Sequence, residues 1–232
     1  MMSTKKIYLV CSVKIVQAMA MNTELEKALL YGIVDRGYVD ENDIESVTHD
    51  LISGGADVIQ LRAKGCGEGE ILEMARQIVL ICREAQVPFV VNDFPEIAKQ
   101  VKADGVHVGQ DDGSLLEVRS IVGEEMIVGR STHSVAQAEQ ALLDGFDYIG
   151  FGPLFATPTK KGRPGIGMEN VSLVQDRVGS EIPVFCIGGI TRKNIETVAQ
   201  AGAKRVVIVS DLLAAESIEQ ATASAKNIIT KF

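Results

Sequence analysis

The chain has 232 residues, 46% hydrophobic and 23% charged, the composition of a soluble globular protein long enough for one large α/β domain or two small ones. Its formal net charge of -8 argues against nucleic acid or an anionic membrane surface as the main partner, because both require a basic face. Any anion-binding role must therefore come from a local pocket.

Residues 1–6 are basic and 7–13 apolar, and Ala18-Met19-Ala20 resembles the cleavage site of an export signal. Lys14 and Gln17 interrupt that run and leave its apolar core short, while Met19 and Met21 offer alternative starts. The resulting expectation is a cytoplasmic protein with an N-terminal extension and a short helix over 1–28, followed by one domain over 29–232. No later segment approaches the ~20 apolar residues of a membrane helix. Cys11, Cys66, Cys82 and Cys186 show no metal-type spacing. Cys82 and Cys186 fall in apolar patterns, so they read as buried thiols of a reducing compartment.

Apolar strand-like runs occupy 30–35, 56–61, 88–91, 105–109, 125–129, 148–151, 183–187 and 205–209. Helical patterns lie between them over 43–53, 69–85, 94–101, 113–122, 168–178 and 191–201. One more helix is opened by Ser134, with Gln137 completing a capping box, and a last one carries Ile218, Ala221, Ala225 and Ile228 on one side. The strands are solidly apolar rather than alternating, as parallel strands covered on both faces must be. A weak repeat, Gly55-Ala56-Asp57, Ala103-Asp104-Gly105, Gly145-Phe146-Asp147 and Gly202-Ala203-Lys204, closes a helix before each even-numbered strand. Eight alternating β and α units predict a (βα)8 TIM barrel; an open doubly wound sheet is the alternative.

In a barrel the chemistry sits at the C-terminal ends of the strands. After the second strand, Gln60, Arg62 and Lys64 alternate onto one side and form an anion grip. After the third comes Asn92-Asp93, where Asp93 is either a helix cap paired with Glu96 or a metal ligand. Gln110-Asp111-Asp112-Gly113 poses the same choice after the fourth. Two carboxylates on neighbouring strand ends facing a cationic grip suggest Mg2+ held by few protein ligands and substrate phosphate. The fifth strand leads to Arg130-Ser131-Thr132-His133, and His107 within the fourth reads as a wall residue. After the sixth, the stretch 152–162 packs Thr157, Thr159, Lys160 and Lys161 between Gly and Pro residues, either a stiff phosphate clamp or a solvated loop. Gly188-Gly189 and Val209-Ser210-Asp211 end the seventh and eighth, the usual phosphate corner of such barrels.

With these stretches in place, the chain from about Leu29 to its end resembles the thiamine-phosphate synthase family. The resemblance rests on Gln60-Leu61-Arg62-Ala63-Lys64, Val91-Asn92-Asp93, 103–110, Gly152-Pro153, Thr157-Pro158-Thr159-Lys160 and Ile187-Gly188-Gly189-Ile190. It implies a transferase of thiamine biosynthesis that joins hydroxymethylpyrimidine diphosphate to hydroxyethylthiazole phosphate, or its carboxylated form, with release of diphosphate and with Mg2+ as cofactor. Carried over, Gln60, Arg62, Lys64, Asn92, Ser131 and Lys160 hold the pyrimidine diphosphate, and Arg62, Lys64, Lys160 and Ser131 act in catalysis. Asp93 and Asp112 ligate Mg2+, and Thr157, Thr159, Gly189, Val209 and Ser210 hold the thiazole phosphate. The chain departs from the family pattern at Phe94, where a second acid is usual, and at Asp211, where a small residue is usual; Asp211 is expected to turn away from the phosphate. The partners implied are small-molecule substrates, with no nucleic acid and no membrane, and a homo-oligomer is compatible with the sequence. The alternatives are the sister thiazole tautomerase, with His133 as acid–base group, and a non-catalytic thiazole-phosphate-binding protein.

Overall fold

The computed structural model describes residues 24–157 and 164–232. The reading of the N-terminal segment up to residue 23, and those of Thr159, Lys160 and Lys161, lie outside the described residues. After a helical turn at 24–27 come β1 (Leu30–Asp35), a 3-10 turn (Glu41–Asp43), α1 (Ile44–Ser53), β2 (Val58–Arg62), α2 (Glu68–Ala85), β3 (Phe89–Asn92) and α3 (Pro95–Val101). The chain continues through β4 (Gly105–Val108), α4 (Leu115–Val122), β5 (Ile127–Thr132), α5 (Val135–Asp144), β6 (Tyr148–Phe151) and α6 (Val171–Arg177). It ends with β7 (Val184–Ile187), α7 (Ile195–Gln200), β8 (Val206–Ile208), a four-residue α8 (Ser210–Leu213) and α9 (Ile218–Ile229).

The strands pair in parallel in sequence order, and β8 pairs back onto β1, so the sheet is a closed (βα)8 barrel. The open-sheet alternative is excluded by that last pairing. Two differences from the sequence reading affect the site. β5 runs on to Thr132 because Ser131 and Thr132 pair with Gly150 and Phe151 of β6, and Thr132 Oγ1 donates to the Gly150 carbonyl at 3.0 Å. In addition, α8 had no apolar period long enough to reveal it.

The weak repeat has a physical cause beyond glycine. Asp57, Asp104 and Asp147 each precede an even-numbered strand and turn their carboxylates onto the odd-numbered strand before it. Asp57 Oδ2 accepts from the N–H groups of Leu29 and Leu30, Asp104 Oδ2 from Phe89 and Asp147 Oδ2 from Val128, at 2.7–2.9 Å. Each aspartate's own N–H returns a bond to the carbonyl of Leu30, Phe89 or Val128 at 2.8–3.0 Å. This reciprocal pair satisfies strand-end groups that have no ladder partner. Lys226 neutralises Asp57 and Arg119 neutralises Asp147 from neighbouring elements. Lys204 stands at the fourth position and supplies no such carboxylate.

Alternate strand residues divide the core. Leu30, Val34, Ile59, Leu61, Val91, Val106, Val128 and Ile149 face the helices. Tyr31, Ile33, Val58, Val90, Ile127, Tyr148, Phe185 and Val207 fill the barrel, with Leu25 and Ala28 closing its floor. Three rings dominate the interior: Phe185 meets Tyr31 and Tyr148 edge-on at centroid distances of 5.3 and 5.8 Å. Burial of such a ring contributes roughly 1.5–3 kcal/mol. Gly129 makes room for Tyr148, since a Cβ there would lie 2.1 Å from the tyrosine ring. Gly129→Ala is therefore expected to lower stability by roughly 1–3 kcal/mol, as overpacked cores do, measured by urea denaturation followed by circular dichroism.

Candidate active site

The C-terminal strand ends form a mouth with two adjoining cavities. The deeper one is mainly apolar, with Tyr31, Ile33, Tyr148, Phe185, Ile187 and Val207 as its walls and Thr157, Gly189, Val209 and Ser210 at one side. The outer one is polar, about 230 Å3 in volume, and is lined by Arg62, Lys64, Asn92, Asp93, Asp111, Asp112 and Ser131. Arg62, Asn92, Ser131 and His133 line both, so they form the seam between a greasy floor and a charged rim.

The β2 alternation holds. Gln60 and Arg62 point into the barrel, and Lys64 emerges at the rim, 2.9 Å from Asp93 Oδ2. Gln60 is buried and donates to the Tyr31 hydroxyl at 2.9 Å, so it belongs to the deep cavity rather than to the charged rim. Arg62 is not a free cation. Its guanidinium bonds Asp35 Oδ2 at 2.7 Å, and Asp35 is only 1% exposed. A pair this dry holds the arginine in place, since removing one partner strands a buried charge. In the sequence Asp35 is visible only as the acid that closes the apolar run 30–34, because its partner Arg62 lies 27 residues further on.

The cap alternatives for the two site acids fail. The residue that caps α3 is Phe94, with no side-chain cap bond, while Ser114 caps α4 in a capping box with Glu117. Asp93 instead takes a left-handed conformation at φ 67°, which aspartate tolerates better than most residues, and its N–H donates to the His107 carbonyl at 2.9 Å. Asp112 Oδ2 accepts from the Gly109 N–H at 2.6 Å, which ties the β4 loop back on itself. Burial pushes the Asp93 carboxyl above its ordinary pKa, Lys64 opposes the rise and nearby Asp112 adds to it. Two hard oxygen donors with no nitrogen or sulfur ligand fit Mg2+, which takes few carboxylates and completes its shell from substrate and water. Among the described residues no three His, Cys, Asp or Glu side chains converge on one point.

His133 Nδ1 bonds the Gly152 carbonyl, which can only accept, so the ring proton sits on Nδ1. Gln137 does not complete the expected capping box. Ser134 Oγ accepts from Gln137 N, but Gln137 Oε1 takes the His133 N–H at 2.7 Å and so fixes the histidine backbone. His107 is the wall residue expected, held between Tyr148 and Ser131. Arg130 turns out of the mouth, bonding the Gly113 and Gln110 carbonyls and lying over Phe146.

At the corner where the sequence reading expects phosphate, the loops after β6 and β7 are interlocked. Leu154 N donates to the Ile187 carbonyl and Phe155 N to the Gly188 carbonyl, at 2.8 and 3.0 Å. Gly188 has φ 99°, and a Cβ there would fall 2.3 Å from Pro153, so only glycine allows this approach. Asn194 then bridges the Thr191 N–H and the Gly189 carbonyl. Asp211 accepts from both the backbone N–H and Nε of Arg192, at 2.9 and 2.8 Å, so its charge is matched and drawn onto α7's leading loop. Thr157, Gly189, Val209 and Ser210 share the deep cavity, while Thr159 and Lys160 lie outside the described residues.

The raised pKa of Asp93 has a stability consequence. Its protonated form contributes stability that is full below the ordinary carboxylate value of 3.8 and is lost as pH rises through the raised folded value. Ionised Asp93 is thus a net cost at neutral pH. Asp93→Asn, tested by thermal melts in chelator-containing buffers from about pH 4 to pH 7, is expected to gain in Tm relative to the unsubstituted protein as pH rises.

A protein-family model described as thiamine monophosphate synthase matches residues 30–212. A thiamine-phosphate synthase of Persephonella marina is 40% identical over 203 residues, covering 88% of this chain and 96% of the relative. A longer thiamine-phosphate synthase of Gloeobacter violaceus is 41% identical over 180 residues, and the match spans 78% of this chain and 52% of that one. The solved thiamine phosphate pyrophosphorylase of Pyrococcus furiosus superposes with a TM-score of 0.80 at 31% identity, covering 91% of this chain and 98% of the other. The chain belongs to the thiamine monophosphate synthase family.

Proposed function

We propose that this chain, a transferase of the thiamine-phosphate synthase type, joins hydroxymethylpyrimidine diphosphate to a hydroxyethylthiazole phosphate by letting diphosphate depart before the thiazole nitrogen attacks. The observation that carries the reading is the charge balance of the mouth. Among the described residues, Arg62 and Lys64 face Asp93, Asp111 and Asp112, with Asp35 behind Arg62. Among these residues acids outnumber bases, so by themselves they would repel a diphosphate unless a divalent cation entered with it. Asp93 and Asp112 are the residues that would hold Mg2+, and the ion would supply charge neutralisation to the leaving diphosphate.

The chain's own groups divide the remaining work. Arg62, locked by Asp35, presents a fixed guanidinium to the leaving group, and Lys64 shifts between Asp93 and phosphate as charge grows. Lys160 joins this grip in the family pattern. The pyrimidine ring lies on the apolar side of the seam, where Asn92 and Ser131 reach it, and water is kept from its cation by Tyr31, Tyr148 and Phe185. Thr157, Gly189, Val209 and Ser210, with Thr159, hold the thiazole phosphate on the opposite wall. No nucleophilic side chain is required. A reducing compartment such as the cytoplasm suits the thiols of Cys66, Cys82 and Cys186, none of which is bridged; among the described residues no helix is long and apolar enough to cross a membrane.

The purified protein incubated with both substrates and Mg2+ is expected to release diphosphate and thiamine phosphate in equal amounts, and chelation is expected to stop both. Lys64→Ala, Lys160→Ala and Asp112→Ala should each lower the rate roughly 10²–10³-fold, by analogy with the loss of other charge-stabilising groups. Isomerisation of the thiazole phosphate without coupling, abolished by His133→Asn, would favour the tautomerase; binding of thiazole phosphate without turnover would favour a non-catalytic protein.

A further inference from the structure

A buried line of polar side chains crosses the barrel beneath the mouth; the transfer as described uses some of its members as cavity wall or substrate contact, but not the hydrogen bonds that join them. Gln60 Nε2 lies 2.9 Å from the Tyr31 hydroxyl, which lies 3.1 Å from the Tyr148 hydroxyl. The Tyr148 hydroxyl is 3.0 Å from His107 Nδ1, and His107 Nε2 is 2.9 Å from Ser131 Oγ. Five residues from β2, β1, β6, β4 and β5 thus connect in series. Gln60, Tyr31, Tyr148 and His107 are all buried, and burial raises both phenols well above their ordinary pKa, so both keep their protons. Placing polar groups in a barrel interior is costly unless each is satisfied. The two tyrosine rings belong to the apolar cluster that fills the barrel, where packing alone requires no hydroxyl.

Proton counting gives the line a direction. The Gln60 amide nitrogen only donates, so Tyr31 accepts and passes its single proton towards Tyr148. Tyr148 passes its own to His107 Nδ1. A neutral imidazole carries one N–H, which then resides on Nε2 and donates to Ser131 Oγ. Ser131 is left with its own proton, at the seam where both cavities meet. The opposite direction requires Gln60 to present its carbonyl to Tyr31, and it would make Ser131 an acceptor towards the substrate.

We propose that Gln60, Tyr31, Tyr148 and His107 form a positioning relay that commits the Ser131 hydroxyl to donate to an acceptor atom of the pyrimidine diphosphate. The relay rests on the reading of the mouth as that substrate's site. Its value is preorganisation: a hydroxyl whose rotation is already set loses no time or free energy finding its acceptor when charge develops. In this relay Tyr31, Tyr148 and His107 act on the diphosphate through Ser131, separately from what their rings contribute to the cavity wall.

Two measurements test it. In protein labelled with 15N-histidine and assigned with a His107→Gln control, His107 is expected to show a protonated Nε2 and an unprotonated Nδ1; the reverse tautomer overturns the relay. In steady-state kinetics, Tyr148→Phe is expected to lower kcat about 10-fold, the worth of one hydrogen bond to a charged acceptor, with KM for the thiazole phosphate unchanged. Tyr31→Phe should cost less, because Tyr148 can still donate to His107. In a Ser131→Ala background Tyr148→Phe should cause no further loss; an equal loss in both backgrounds means that Tyr148 acts by packing and overturns the relay. Should Tyr148→Phe fail to fold, the tautomer in the unsubstituted protein decides. Absence of any synthase turnover would sink the substrate assignment, while the tautomer independently establishes or refutes the direction of the line.

Discussion

Closure of eight parallel strands forces every second residue into one narrow interior, and the rest of the molecule follows from how that space is filled. The floor is apolar, sealed by Leu25 and Ala28, and the middle is occupied by three aromatic rings, with Phe185 edge-on to both tyrosines. Gly129 gives up its side chain so that Tyr148 can occupy the axis. Above the rings the inward positions turn polar, at Asp35, Arg62, Asn92, Ser131 and His133. The same alternation that builds the core therefore delivers the chemistry to one rim.

Electrostatics at that rim is arranged in tiers. The driest charge, Asp35, is matched one-to-one by Arg62, which removes a strong cation from free use but sets it rigidly in place. Lys64 is wetter and is shared with Asp93, so it can change partners. Asp112 lies close enough to add to the rise of the Asp93 carboxyl, a repulsion that the proposed divalent cation would relieve.

The opposite end of the barrel uses the same residue type for a different purpose. Asp57, Asp104 and Asp147 bind strand-end N–H groups and are offset by Lys226, Arg83 and Arg119. Burial raises the Asp104 and Asp147 carboxyls even so. These acids clasp strands in pairs, whereas Asp93 and Asp112 line the polar cavity of the mouth. Address within the barrel, rather than residue type, separates scaffold from site.

Much of this was legible in the linear chain. Solidly apolar runs alternating with amphipathic ones require parallel strands covered on both faces, and eight such units fit a barrel, so strand order and the identity of Gln60, Arg62, Lys64, Asp93, Asp112, Ser131 and Ser210 as strand-end residues followed from periodicity and resemblance. Local patterns could not remove the cap reading of Asp93, because a cap depends on where the helix begins, and it begins after Phe94. Nor could they pair Arg62 with Asp35, 27 residues earlier, or join Tyr31 to Tyr148, 117 residues apart. Periodicity reports which face a residue occupies because it depends on neighbours in the chain. Partners across the axis depend on strand register and closure, which exist only once the sheet has met itself.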